Sequence, residues 1–314
     1  MIQVRGKQMP VIDAHVHVWN HFAGLRFGDT KVVPLGWGMV RQGEKEFRMI
    51  PPEYHDNQVP IETLLANMET AGVDKAVILQ NPCYGDQRDY VKEIISNNPN
   101  KFVSIGMIDP RNKEEVVRQM EILFYGYKFV GFKIEVPDVP FILDDPEYEF
   151  LWEKIVDINA LVALDLGWNK GLFDFNIDRF KNVMIKFPTM KTILCHLGVS
   201  KLWDFEQQPP YPFLQETLSL LEINKDNLYL DFSGLQVCDP TEEYPFYRCL
   251  DFLKTVKKTC GINKVMWGSD APMILRSCTY KQTLTCFTRY CDFLTDEELE
   301  AVIYTNAQIV FFQK

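Results

Sequence analysis

From residue 60 onward the chain alternates short, β-branched apolar runs with amphipathic stretches, and this alternation constrains the fold more than any other feature. A first strand over 11–19 (Val-Ile-Asp-Ala-His-Val-His-Val-Trp) precedes the series. Further strands are expected over 73–80, 101–108, 129–136, 161–166, 191–197, 227–233 and 264–269. Helices are expected over 60–71, 86–98, 112–125, 146–159, 176–187, 211–223 and 245–259, with two more, 280–293 and 295–311, closing the chain. Asn112 with Glu115, and Thr295 with Glu298, have the spacing of capping boxes. Strands joined through helices run parallel. Eight such units predict an α/β fold, a single (β/α)8 TIM barrel over 1–314 with a long loop after strand one and an extra C-terminal helix. A doubly wound open sheet is the competitor, but no G-x-G-x-x-G follows the first strand. No repeat, low-complexity tract or linker marks a domain boundary. Residues 20–59, rich in Gly and Pro, read as irregular, and a loop of that length in a compact domain is often functional.

Charge narrows the partners. Acidic residues outnumber basic ones, 43 to 33, for a net charge of −10. That excess argues against nucleic acid or an anionic membrane, both bound through Lys and Arg. A small anionic substrate stays open, because one local cation or metal overrides the global sign. Residues 1–10 hold no signal-peptide core, and no apolar run approaches the ~18 residues of a membrane span. The eight cysteines show no C-x-x-C spacing. Reduced thiols in a cytoplasmic protein are the simplest account, with no cysteine assigned to a metal.

On strand one, side chains two apart share a face. Asp13, His15 and His17 are therefore expected on one side, with Ile12, Ala14, Val16 and Val18 on the other. The spaced pair suggests metal ligation, since imidazole is the commonest metal ligand. The plainer alternative is one surface histidine and one hydrogen-bonded core histidine. Later strands end in polar residues again and again: Lys133 and Glu135 on strand four, Asp165 on five, His196 on six, Asp231 on seven and Asp270 on eight. In a TIM barrel these ends form the active-site face. Polar groups after apolar runs are costly to desolvate unless paired or metal-bound. Asp231 is the leading candidate for a structural ion pair. Imidazoles and carboxylates suit zinc, or the harder manganese. A divalent ion with one open position lowers the pKa of bound water to ~7, which a neighbouring carboxylate and histidine can exploit as base and acid. The inventory supports metal-assisted hydrolysis.

Three ordered motifs, Asp-Ala-His15-Val-His17, Cys-His196-Leu-Gly and Trp-Gly-Ser-Asp270, resemble the amidohydrolase superfamily. The nearest branch is the amidohydrolase-related group that includes aminocarboxymuconate-semialdehyde decarboxylase, resorcylate decarboxylases and several lactonases. The closing segment from Thr295 to Thr305-Asn306-Ala307 is similar as well, so the likeness spans nearly the whole chain. It implies His15, His17 and Asp270 as ligands of one divalent metal and His196 as the catalytic histidine. The pattern departs at strand five, where relatives carry a metal-binding His in V-x-x-H-x-G and this chain has Val162-Ala-Leu-Asp165-Leu-Gly167. Either Asp165 ligates in its place or the metal site is incomplete. Some lactonases of the group work without metal. Lys133 matches a position that elsewhere holds a carboxylated lysine or a substrate contact. Here it is expected to bind substrate or to pair with Glu135 or Asp165.

The first functional reading is a metal-dependent hydrolase of a small lactone, amide or ester bearing a carboxylate, with Asp270 as ligand and proton acceptor and Lys133 as anion anchor. A non-oxidative decarboxylase of an aromatic or muconate-type acid is the alternative. A metal-independent lactonase or a non-catalytic ligand-binding barrel is the third. Trp19 and His55 are candidate substrate contacts. Trp37 and Trp168 could line an aromatic pocket, and His21 reads as a loop residue. Small-molecule substrate is the expected partner, with room for a homo-oligomer.

Overall fold

Eight apolar runs, buried on both faces, pair side by side into one parallel sheet. The structure, a computed structural model, describes residues 1–26, 29–139, 141–167, 177–198, 209–237, 239 and 241–313. The strands are β1 (Ile12–Val16), β2 (Lys75–Leu79), β3 (Phe102–Met107), β4 (Gly131–Glu135), β5 (Leu161–Asp165), β6 (Lys191–Leu194), β7 (Leu228–Phe232) and β8 (Val265–Trp267). They pair in sequence order from β1 to β8. The ends meet where Val16 bridges Ala271 in parallel, with His17 N donating to Ala271 O at 2.8 Å and Asp270 N to His15 O at 2.9 Å. This is a TIM barrel.

Helices α1 (Ile61–Ala71), α2 (Arg88–Asn97), α3 (Lys113–Glu121), α4 (Glu149–Asp157), α5 (Ile177–Lys186), α6 (Pro212–Ile223), α7 (Tyr247–Cys260) and α8 (Tyr280–Tyr290) follow the strands in turn. Alternate strand residues serve two cores, as the two-residue period of a strand requires. Ala76, Ile78, Phe132, Ile134, Val162, Leu164, Leu230 and Trp267 face the helices. Val77, Leu79, Ile105, Ala163, Ile193 and Met266 face inward and pack with Ala307 and Phe311 of the C-terminal segment. That segment opens with α9 (Asp296–Glu300), capped by Thr295 and Glu298 as expected, and widens into π turns over Ala301–Thr305 and Gln308–Phe312. Among the described residues no helix is long and apolar enough to cross a membrane.

Three sequence expectations need correction. Residues 20–59 are not irregular: Gly24–Arg26, Thr30–Gly36, Met39–Gln42 and Lys45–Arg48 form a four-stranded antiparallel sheet. Its tight turns, at Trp37-Gly38 and Gly43-Glu44, supplied the Gly-rich signal that reads as loop. Ile2–Val4 and Lys7–Met9 add a short hairpin. The Asn112 side chain caps nothing, and Glu115 pairs with Arg118 at 2.9 Å instead.

The third correction concerns β1. Asp13 pairs with Ala76 and Val16 with Ile78, so three steps on β1 oppose two on β2. The extra residue is a β-bulge, a device that re-aims side chains. Ile12 and Ala14 belong to the inner core, and Val16 and Val18 to the outer. Asp13 therefore does not share a face with the histidines. It turns toward α8 and accepts from Tyr280 Oη at 2.7 Å and from Ser269 N at 2.8 Å.

Candidate metal centre

At the C-terminal ends of the strands, His15, His17, Lys133, Glu135, Asp165, His196, Asp231 and Asp270 are all buried. The backbone there is unusual. The bulge places His15 and His17 inward, and His196 and Asp270 both have left-handed φ, 55° and 61°. Non-glycine residues in that region cost of order 1–3 kcal/mol and concentrate at functional sites. Two glycines make room. A Cβ on Gly234, itself at φ +68°, would meet Asp270 Oδ2 at 2.6 Å, and one on Gly268 would meet the His15 Cβ at 2.7 Å.

All three histidines engage Nδ1 with neighbours. His15 Nδ1 donates to Asp231 Oδ2 at 2.5 Å, His17 Nδ1 to Leu79 O at 2.8 Å and His196 Nδ1 to Ser233 O at 2.8 Å. Tyr84 Oη lies 3.0 Å from His17 Nδ1, and Ser233 Oγ lies 3.1 Å from Nδ1 of both His15 and His196. Nε2 of His15 and of His17 then face each other 3.1 Å apart, with Asp270 Oδ1 3.9 and 3.4 Å away. Burial lowers the pKa of both histidines, so both are neutral. Two neutral imidazoles with Nδ1–H bonds present only lone pairs on Nε2, an unfavourable meeting unless a cation lies between them. Their separation is less than twice a zinc–nitrogen bond of about 2.0–2.1 Å. Nδ1 bonds of this kind are how proteins orient metal-ligating histidines. The donor set fits a divalent ion.

The wider cluster divides differently. Ligand atoms of His15, His196 and Asp270 lie within 4.8 Å of one another. His196 Nε2, however, also faces Asp165 Oδ2 at 3.4 Å. Burial opposes its charge, but Asp165, with Asp270 and Asp231 behind it, outweighs burial and lifts the imidazole to about 9. Asp165 has its other oxygen on the Gly167 N–H at 2.8 Å. Burial would raise that carboxyl, yet His196 and Lys133 hold it below the usual range. Asp231, the expected ion-pair residue, bonds the ring of His15. Burial pushes it up to about 7. A second group of possible ligands, His15, Cys195 and Asp231, also falls within 4.8 Å. There the thiol is held well above its usual pKa by burial, and His15 and Asp231 already bond each other.

Lys133 pairs with Glu135 at 2.9 Å, and Asn81 Nδ2 donates to the same Glu135 oxygen at 2.8 Å. Burial disfavours the Lys133 ammonium, but Glu135 beside it, with Asp165 beyond, keeps it protonated, while burial and Asp165 push the Glu135 carboxyl up against the pull of Lys133. Trp19 is buried, stacked on Tyr84 at 4.4 Å, with its indole N–H on Asn57 O. His55 is exposed with its ring 4.0 Å from Trp37, and His21 Nδ1 bonds Asn20 Oδ1 at 2.8 Å. Trp168 lies outside the described residues. Sequence reasoning missed Tyr84, Asn81 and Ser233. Only the last carried a usable signal, its two-residue spacing from Asp231. The seven described cysteines are free thiols.

Comparison with known proteins follows the same line. A search of the curated proteins finds no match. In fold, the chain is similar to a probable 2-pyrone-4,6-dicarboxylic acid hydrolase of Acinetobacter baumannii with citric acid bound, at TM-score 0.67 and 16% identity over 96% of this chain and 99% of that one. An amidohydrolase of Burkholderia multivorans with bound zinc gives TM-score 0.67 and 14% identity over 96% and 98%. A 5-carboxyvanillate decarboxylase of Sphingomonas paucimobilis gives 0.57 and 17% over 79% and 81%. The amidohydrolase family model Amidohydro_2 matches residues 12–313, and the chain belongs to that family.

Proposed function

We propose that this protein is a metal-dependent hydrolase that opens a small lactone, ester or amide bearing a carboxylate. The carrying observation is the convergence of the His15 and His17 Nε2 lone pairs beside Asp270. His15, His17 and Asp270 would hold the ion, zinc or manganese. Such an ion polarises a carbonyl and lowers the pKa of water.

The chain's own residues carry the protons. Asp270, beside the ligand nitrogens, accepts one from the attacking water. His196, kept as imidazolium by Asp165, donates one to the leaving oxygen or nitrogen. Asp165 serves His196 in this scheme. Asp231 and Leu79 O fix the two ligand rings. Lys133, tied to Glu135, balances the buried acids.

An imidazolium can also deliver its proton to the carbanion-like carbon left when carbon dioxide departs, so decarboxylation is the second reading. It is favoured by the likeness to the 5-carboxyvanillate decarboxylase, while the A. baumannii hydrolase matches over more of the chain.

The test is elemental analysis of the purified protein with turnover of carboxylated lactones and aromatic acids, following acid release against carbon dioxide. Near one metal per chain with acid release is expected. Metal below roughly 0.1 per chain with undiminished turnover overturns metal dependence. Carbon dioxide release in place of acid selects the decarboxylase.

A further inference from the structure

A carboxylate-bearing substrate needs a cation, and Lys133 is engaged by Glu135. Among the described residues, several other basic side chains beyond the barrel strands have acidic partners: Arg88 with Asp86, Arg111 with Asp109, Lys113 with Glu147, Arg179 with Asp144 and Arg248 with Asp239. Arg276 differs. It ends the short 3-10 helix Met273–Arg276, which begins three residues after Asp270. Its Nε donates to Met273 O at 2.9 Å and its Nη1 to Arg48 O at 3.1 Å, the latter on the last strand of the four-stranded sheet. Both partners are carbonyls, which orient a guanidinium without neutralising it. Of its five N–H donors, Nε–H and one on Nη1 are used, which leaves the second on Nη1 and both on Nη2 for a carboxylate. The side chain reaches solvent; partial burial lowers the pKa of its guanidinium, and the Asp270 charge works against that.

We infer that Arg276 is the specificity residue that receives the substrate's carboxylate, held in position by the carbonyls of Met273 and Arg48. The inference rests on the hydrolase reading in one respect: it assumes that the substrate lies over Asp270. The excursion after strand one then has a function, since its last strand aims the guanidinium.

The test is calorimetric binding of succinate, glutarate and adipate, each against its monomethyl ester, to the purified full chain and to Arg276→Met. The wild type is expected to prefer at least one diacid over its ester by about 10- to 100-fold, as a charged hydrogen-bond pair allows. In Arg276→Met that preference should fall to near one, with the melting temperature unchanged, and Arg276→Lys should keep part of it. A wild type without preference for any diacid, or a Met variant that keeps the preference, overturns the assignment. Metal content and lactone turnover are measured separately. A protein without either that still shows the Arg276-dependent preference sinks the hydrolase reading and leaves this one standing.

Discussion

At the scale of single residues, the site is shaped as much by what has no side chain as by what has one. Gly234→Ala would set a methyl 2.6 Å from Asp270 Oδ2 and hold alanine at φ +68°. Displacement of Asp270 is expected to weaken zinc binding by at least about tenfold, for about 1–2 kcal/mol of folding stability in urea titration. Asp165→Asn separates two roles for the strand-five acid. As the partner of His196, its loss should lower turnover by about 10- to 100-fold with zinc stoichiometry unchanged. Loss of zinc would make Asp165 a ligand. The histidines and acids of the cluster were legible in the sequence because their types recur at the ends of apolar runs. Tyr84, Asn81 and Arg276 were not, since each acquires meaning only from a group on another segment: His17, Glu135 and the Arg48 carbonyl.

At the scale of elements, the barrel seam deserves the closest test. Asp13 accepts from Ser269 N, His15 N and Tyr280 Oη, which ties β1, the segment after β8 and α8 together where the barrel closes. Tyr280→Phe strips one donor from a buried carboxylate and is expected to cost about 1–3 kcal/mol in urea unfolding. Metal content should hold, because His15 and His17, the proposed ligands, sit on the other face of the bulge. Zinc loss in this variant would mean that the seam positions His15 and His17. Capping shows how far local spacing reaches. Thr295 with Glu298 closes its box, whereas Asn112 with Glu115 does not: the Asn112 N–H goes to Asp109 O and the glutamate pairs with Arg118. The four-stranded sheet after β1 escaped the sequence for a related reason. Its strands are short and partly exposed, so no apolar alternation distinguishes them from loop.

For the whole molecule, the central charge balance has a thermodynamic consequence. Glu135, Asp165, Asp231 and Asp270 are buried around Lys133 and His196. An ion that binds only the folded cluster stabilises it by about 2.7 kcal/mol at a hundred times its dissociation constant. Removal by chelator is expected to lower the melting temperature by on the order of 5 °C in calorimetry, reversed by added zinc. No shift on chelation or zinc addition would count against the site.

By itself the sequence determined the barrel and the residue types at its mouth, because strand–helix alternation and burial periodicity are local and survive any arrangement of neighbours. Tertiary structure alone decided which way those residues point. The bulge that parts Asp13 from His15, the left-handed turns at His196 and Asp270, and the pairing of His196 with Asp165 depend on contacts between different strands. No local pattern encodes them, since the backbone strain they carry is offset only by the neighbours that the closed barrel brings together.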